Sequence, residues 1–212
     1  SVQASEMDVG NSSSNSSAAI PSDTFFAARV LWITISPFIL IIGLVGNALS
    51  LCVFVREPFG KSSSTFTLLG VLAISDTFVL VTGLLRDWLS VLLRESFAAF
   101  NASLWLCSPV ELVSMSSMYS SAWMLVAVSF DRFLAIRLPL QSRGMRTPAR
   151  AKMLALCITL LAFTASVFMT FMKPNRRVCF SQSLSEVATW VDVCAYCLLP
   201  SVLLFGLNGA ML

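Results

Sequence analysis

The stretch RVLWITISPFILIIGLVGNALSLCVFV, residues 29–55, decides the class of fold, because Arg29 is its only charged residue. A helix needs about 20 apolar residues to cross the roughly 30 Å of hydrocarbon in a bilayer. Four further runs of comparable length follow along the chain. The five runs are residues 29–55, 65–93, 104–136, 151–172 and 187–212. They predict an all-α fold, a transmembrane helix bundle that occupies residues 29–212.

The composition agrees with this prediction. Of the 212 residues, 57% are apolar and only 12% are Asp, Glu, Lys or Arg, whereas soluble domains carry about 25% charged residues. The net charge of +3 is too small to indicate nucleic-acid binding. The sequence has no histidine, so it lacks the residue on which catalytic triads and many metal sites depend. These features predict a protein whose first partner is the lipid bilayer and which is not an enzyme.

Residues 1–28 contain no Lys or Arg and are rich in Ser and Asn, which predicts a disordered tail. Asn11 and Asn15 each begin an Asn-X-Ser glycosylation signal, and Asn101 begins a third. With five spans, Asn101 lies on the same side of the membrane as the tail. Because glycosylation acts on extracellular segments, we expect the N-terminus outside. The inner side then carries eight basic residues and the outer side six, a small excess in the expected direction.

Asp76 lies in the middle of the second apolar run. An acid at that depth costs about 2.5–3.5 kcal/mol on insertion scales, so it should face the bundle interior and have a partner. Asn47 is the candidate partner, because Gly43 and Gly46 permit a close approach of the first helix. The alternative is that Asp76 is a tolerated structural residue without a special role.

The third run places a series of polar and soft side chains along one helical face. The series is Cys107, Glu111, Ser114, Met118, Ser121, Leu125, Val128 and Arg132. Simple packing is the alternative for Met115 and Met118, and an interfacial position is the alternative for Glu111. Asp131 precedes Arg132 at the inner end, where a carboxylate can restrain a guanidinium until a partner competes for it.

Two of the six cysteines, Cys107 and Cys179, fall on the predicted outer side, where the environment is oxidising. We therefore expect a disulfide between them. The other four lie inside apolar runs and are predicted to be buried as small apolar side chains: Cys52, Cys157, Cys194 and Cys197.

In sum, these motifs resemble those of rhodopsin-like (class A) G protein-coupled receptors, and the resemblance covers nearly all of the chain after the tail. The matching residues, in chain order, are Gly46-Asn47, the segment 72–76 ending at Asp76, Trp105-Leu106-Cys107 with Cys179, Asp131-Arg132-Phe133, Pro139-Leu140, and Pro200 with Asn208. Phe133 replaces the usual tyrosine, and the fourth run lacks the tryptophan typical of this family.

The resemblance implies specific roles at both ends of the bundle. Arg132 would contact a heterotrimeric G protein on activation, with Asp131 holding it at rest and with Phe133 and Pro139 beside it. Asp76 and Ser121 match two ligands of the family's internal sodium site, and no other cofactor is implied. The residues matching the ligand-facing part of the third span are Glu111, Ser114, Met115 and Met118. Asn47 and Pro200 match structural positions.

Amine receptors carry an aspartate at the position of Ser114, so a neuropeptide is the favoured extracellular ligand. The resemblance also implies a multi-pass protein of the plasma membrane. The sequence ends inside the fifth span, so five of seven helices are present and we expect a partial receptor sequence. Three alternatives are a chemosensory or other orphan receptor with a small-molecule ligand, a truncated isoform that does not signal but binds a full-length receptor, and a transporter or channel. The last is disfavoured because no continuous polar pathway is evident.

Overall fold

The computed structural model describes residues 22–56, 64–93, 104–138, 146–171 and 186–211. These residues form five long helices, which we label α1 (Ser22–Arg56), α2 (Ser64–Leu92), α3 (Leu104–Arg137), α4 (Pro148–Phe171) and α5 (186–211). Each helix contains a segment long and apolar enough to cross a membrane. Within the described ranges there is no β-strand. The predicted all-α fold with five spans is therefore confirmed.

α1 begins earlier than the sequence indicated. It starts at Ser22, inside the segment 1–28 that was predicted to be a disordered tail, and continues for 35 residues. At 1.5 Å per residue this helix is about 50 Å long, well beyond the hydrocarbon core. Ala27 and Ala28 favour helix strongly, so the helix can continue past the lipid where water satisfies its polar groups.

α3 is the central helix of the bundle, because α2, α4 and α5 all pack against it. α1 packs on α2, and α2 also contacts α4. The core lies where α2, α3 and α4 meet and is centred on Leu68 and Met124, which are 1% and 0% exposed. Ala151 and Ala155 on α4 complete this cluster, and their small side chains allow the helices to come close together.

The outer faces of the helices are as apolar as the core. Ile42 on α1 is 72% exposed and Phe205 on α5 is 80% exposed. Such faces are stable against lipid and not against water. Four cysteines also lie on these faces as exposed free thiols, so the prediction that they are buried was wrong: Cys52, Cys157, Cys194 and Cys197. Because the runs are apolar on all sides, the sequence did not distinguish the inner face from the lipid-facing one.

Hydroxyl side chains inside the helices satisfy their hydrogen-bonding groups within their own helix. Ser36 donates to the carbonyl of Trp32 at 2.6 Å, and Ser166, which is fully buried, donates to the carbonyl of Ala162 at 2.8 Å. The same pattern recurs at Thr34, Ser50, Thr77, Thr82, Thr159 and Thr170. These internal bonds explain how a hydroxyl-rich sequence can occupy a membrane.

Two of the helices contain a π-helical segment. In α5, Val193–Leu198 is π-helical and lies just before Pro200, which is buried. Proline lacks an N–H and crowds the carbonyl four residues earlier, which accounts for a local change in helical hydrogen bonding just before Pro200. In α2 the π-helical segment is Val79–Leu85, and nothing in the sequence explains it.

Hydrogen bonds and close packing join α1 to α2. Arg29 donates to the carbonyl of Val91 at 3.3 Å, and the indole of Trp88 donates to the carbonyl of Ile33 at 3.0 Å. Deeper in the bundle, a Cβ atom placed on Gly43 would lie 2.7 Å from the side chain of Leu80. The predicted close approach is therefore present at Gly43. It is absent at Gly46, where a Cβ atom would have no neighbour within 4 Å among the described residues.

Candidate functional site

Asp76 on α2 and Ser121 on α3, which the family resemblance assigns to one sodium site, are in direct contact. The hydroxyl of Ser121 donates a hydrogen bond to the carboxylate of Asp76. One residue earlier on each helix, the hydroxyl oxygens of Ser75 and Ser120 lie 3.2 Å apart. Two successive residues on each helix thus form a short polar seam between α2 and α3.

Asp76 also lines a groove of about 490 Å³ between α1 and α2, and Asn47 lines the same groove. No hydrogen bond joins these two side chains in the part of the chain that is described. The groove therefore supports the prediction that Asn47 and Asp76 share one environment, while the donor to Asp76 is Ser121.

The oxygen atoms at Asp76 suit a small hard cation. Such cations take carboxylate, carbonyl and hydroxyl oxygens, and Asp76 and Ser121 present a carboxylate and a hydroxyl side by side. Among the described residues no group of three or more His, Cys, Asp or Glu side chains is close enough to hold a metal. A sodium ion here would therefore depend on one carboxylate and on neutral oxygens. Sodium binding stays a prediction.

The four residues predicted to face the ligand lie on consecutive turns of α3. Glu111 and Ser114 are 3% and 6% exposed, and Met115 and Met118 are half-buried. Glu111 therefore does not lie at the bundle surface. A Cβ atom placed on Gly83 would lie 3.4 Å from the Ser114 hydroxyl, so Ser114 faces the π-helical part of α2. A role of these residues in binding stays a prediction.

A second polar contact, between α3 and α5, was missed by the sequence analysis. The hydroxyl of Tyr119 donates to the carboxylate of Asp192. The ring of Tyr119 meets the ring of Tyr196 edge to face, with centroids 5.7 Å apart and planes at 86°. Asp192 is an acid inside an apolar run, so the reasoning that singled out Asp76 could have found it.

At the other end of α3, Asp131 is buried and has several donors. Its carboxylate accepts hydrogen bonds from Ser64 at 2.6 Å and from Thr65, both at the start of α2. Arg146, just before α4, approaches the same carboxylate with Nε at 3.1 Å and with Nη2 at 2.9 Å. Arg146 also donates to the Thr65 hydroxyl at 3.0 Å. Asp131 thus joins α2, α3 and the entry to α4.

This network corrects the predicted pairing of Asp131 with Arg132. In the described part of the chain the ion-pair partner of Asp131 is Arg146, and Arg132 is exposed without a hydrogen bond or ion pair. The reason is geometric, because consecutive helical residues point about 100° apart. With Asp131 turned into the bundle, Arg132 is directed away from it. Hydrogen bonding to Asp131 raises the pKa of the Arg146 guanidinium above its ordinary value, which keeps the pair ionised.

The C-terminal ends of α3 and α5 are joined by hydrogen bonds close to Arg132. Arg137 donates from Nε to the backbone carbonyl of Ala210 at 2.9 Å, and its Nη2 reaches the same oxygen. Phe133 is half-buried beside these residues. Arg132 therefore lies on a part of α3 that is fixed to three other helices, through Asp131 and Arg137.

Several predicted residues lie outside the described residues. These are Asn11, Asn15, Asn101, Pro139 and Cys179. The backbone of Cys107 is in α3, but its side chain is not described, so the disulfide with Cys179 stays a prediction, as does glycosylation.

Comparisons with known proteins agree with this arrangement. Over residues 46–211 the chain matches the family described as 7 transmembrane receptor (rhodopsin family). The matched segment covers the last third of α1 and all of α2, α3 and α4, and it ends with α5.

Three curated proteins illustrate the similarity. Galanin receptor 2a of Danio rerio is 30% identical over 181 residues, which are 81% of this chain and 48% of that protein. Galanin receptor type 3 of Mus musculus is 36% identical over 132 residues, 58% of this chain and 34% of that protein. Neuropeptides B/W receptor type 2 of Bos taurus is 35% identical over 151 residues, 68% of this chain and 42% of that protein. The chain thus spans about half, or less, of the length of these relatives.

Proposed function

The chain belongs to the rhodopsin family of seven-transmembrane receptors, and we propose that the complete protein is a cell-surface receptor for a neuropeptide that activates a heterotrimeric G protein. The single observation that carries the proposal is the family match, which extends from Gly46 to the end of α5. The described bundle supports it with a half-buried Asp76–Ser121 contact and an exposed Arg132.

The similarity to galanin and neuropeptides B/W receptors favours a peptide ligand. Ser114 points the same way, because it replaces the aspartate by which amine receptors of this family are distinguished. The proposed ligand-facing surface on α3 includes Glu111, Ser114, Met115 and Met118. A chemosensory receptor, which would respond to small odorants, is the competing assignment within the family.

We propose that the N-terminus is extracellular and that the protein resides in the plasma membrane. This orientation puts Asn11, Asn15 and Asn101 outside, where glycosylation occurs. It puts Arg132 and Arg146 inside, together with the small excess of basic residues. Cys107 and Cys179 would then share the oxidising side.

Arg132 is the residue proposed to contact the G protein. Its guanidinium is exposed, while the neighbouring Asp131 is occupied by Ser64, Thr65 and Arg146. A free guanidinium can donate to several carbonyl or carboxylate oxygens of a partner in a fixed geometry. In this proposal the Asp131 network fixes the backbone on which Arg132 is presented.

The experiment uses the complete protein expressed in mammalian cells with a panel of G protein dissociation sensors. Galanin, neuropeptide B, neuropeptide W and a panel of small odorants are applied separately. The proposal expects a saturable response to at least one peptide and none in untransfected cells. A response only to odorants would overturn the peptide assignment, and silence to a wide peptide library at confirmed surface expression would overturn the proposal itself.

A further inference from the structure

The contact between α3 and α5 contains a carboxylate whose charge is uncompensated within the described part of the chain. Asp192 lies seven residues into α5, which begins at Glu186. In the described ranges its one hydrogen-bond donor is the neutral hydroxyl of Tyr119, and no basic side chain forms an ion pair with it. A carboxylate has about four acceptor positions, so most of its capacity is unused.

A second observation concerns the walls around this carboxylate. The Tyr119 and Tyr196 rings meet edge to face, at 86°, which turns their faces in different directions beside one acid. Tyr119 is 5% exposed, so its hydroxyl is fixed by packing as well as by the hydrogen bond. Aromatic faces attract cations through the ring quadrupole, most strongly where water is excluded.

The backbone beneath Asp192 is also unusual. The π-helical segment Val193–Leu198 begins at the next residue and contains Tyr196. Such segments shift the register of a helix and occur often at functional sites. Here the shift comes between Asp192 and Pro200, so it sets how Asp192 and Tyr196 are placed relative to Tyr119.

We propose that Asp192, Tyr119 and Tyr196 form a subsite that binds a cationic group of the extracellular ligand, a guanidinium or a primary ammonium. The carboxylate supplies the charge, the Tyr119 hydroxyl holds one of its oxygens in position, and the two rings flank the cation. This inference rests on the proposed function, because the proposed function assigns the side of the bundle from which a ligand enters. It places the acidic group on α5, in contact with Tyr119 on α3.

The shared chemistry of an arginine side chain, a lysine side chain and a peptide N-terminus is the positive charge. The test therefore uses a matched pair of small probes, N-acetyl-arginine methylamide and N-acetyl-citrulline methylamide. The arginine probe carries a charged guanidinium, and the citrulline probe carries a neutral urea of nearly equal shape in its place. Thermal unfolding of the complete protein in lipid nanodiscs is followed while each probe is titrated, and an N-acetyl-lysine methylamide arm separates guanidinium from ammonium recognition.

For the unmodified protein we expect the arginine probe to raise Tm by about 2–4 °C in a concentration-dependent way, with no rise for citrulline. Asp192→Asn should abolish the rise, and Asp192→Glu should keep part of it. Tyr119→Phe should weaken probe binding, because the Asp192 carboxylate then loses the hydroxyl that holds one of its oxygens in position. Cys194→Ala is the matched control: Cys194 is an exposed free thiol on the same helix and is not part of the subsite, so the rise should persist.

Equal Tm shifts for the arginine and citrulline probes, or no shift for either, would overturn the subsite. So would an arginine-specific shift that survives in Asp192→Asn. If a variant fails to fold, the comparison of the two probes on the unmodified protein still decides. The Tm readout needs no G protein, so the two proposals can fail separately. A charge-specific Tm shift without peptide signalling would refute the proposed function and leave the subsite standing. Peptide signalling without a charge-specific Tm shift would refute the subsite and leave the proposed function standing.

Discussion

The carboxylate of Asp131 on α3 is held by the guanidinium of Arg146 through two contacts of 2.9 and 3.1 Å. The side chain of Asp131 is 10% exposed and that of Arg146 is 27% exposed, so the pair is partly shielded from solvent. Ser64 and Thr65 complete the coordination of the same carboxylate. This ion pair gives the adjacent residues Asp131 and Arg132 different roles. Asp131 connects helices, and Arg132 remains available to a partner.

We predict that Arg146→Ala lowers the stability of the complete protein by about 1–3 kcal/mol. Removing one member of a buried ion pair leaves the other charge uncompensated, and the partial exposure of Arg146 reduces that cost. Thermal unfolding in nanodiscs measures the effect. Arg132→Ala is the matched control, because it removes an exposed arginine one position away from Asp131 and should leave Tm unchanged. Equal losses in the two variants would contradict the assigned pairing.

The close approach of α1 and α2 is specific to one of two glycines. Gly43→Leu should destabilise the protein by roughly 1–3 kcal/mol, because its Cβ alone would lie 2.7 Å from Leu80. Gly46→Leu gains the same helix propensity but meets no neighbour within 4 Å among the described residues, so it should not destabilise. The two unfolding temperatures are compared directly, and a loss at Gly46 as large as that at Gly43 would refute the packing described for α1.

Sodium should stabilise the complete protein through Asp76. Replacing sodium by N-methylglucamine at constant ionic strength should lower the Tm of the unmodified protein, because the carboxylate then lacks its cation. Asp76→Asn should remove this dependence and Ser121→Ala should weaken it. Ser75→Ala is the control, since Ser75 pairs with Ser120 and not with Asp76. A sodium effect that persists in Asp76→Asn would place the ion elsewhere.

The helices themselves could be predicted from the sequence, because the signal for a span is long and does not depend on neighbours. The predicted runs and the observed helices α2, α3 and α4 differ by at most three residues at their ends. What the runs could not give is the face of each helix. Four cysteines are the example: Cys52, Cys157, Cys194 and Cys197 have apolar sequence neighbours on every side, and their exposed position follows only from packing.

The partners of buried polar groups were harder to predict, for a physical reason. The family resemblance implied that Asp76 and Ser121 belong to one sodium site, and their side chains are in contact. Arg146 was one of several basic residues near Asp131, and hydropathy carries no information on which of them folds back to a carboxylate. Tyr119 and Asp192 are 73 residues apart, so their contact depends on the relative rotation of α3 and α5.

The central claim is that the complete protein activates a G protein through Arg132, and nucleotide exchange tests it most directly. Purified complete receptor is reconstituted with a heterotrimeric G protein, and GTPγS binding is followed with the peptide that proves active in the cell assay. The account predicts that the peptide accelerates exchange and that Arg132→Ala abolishes the acceleration while keeping the same Tm and surface expression. Undiminished exchange in the Arg132→Ala protein would contradict it.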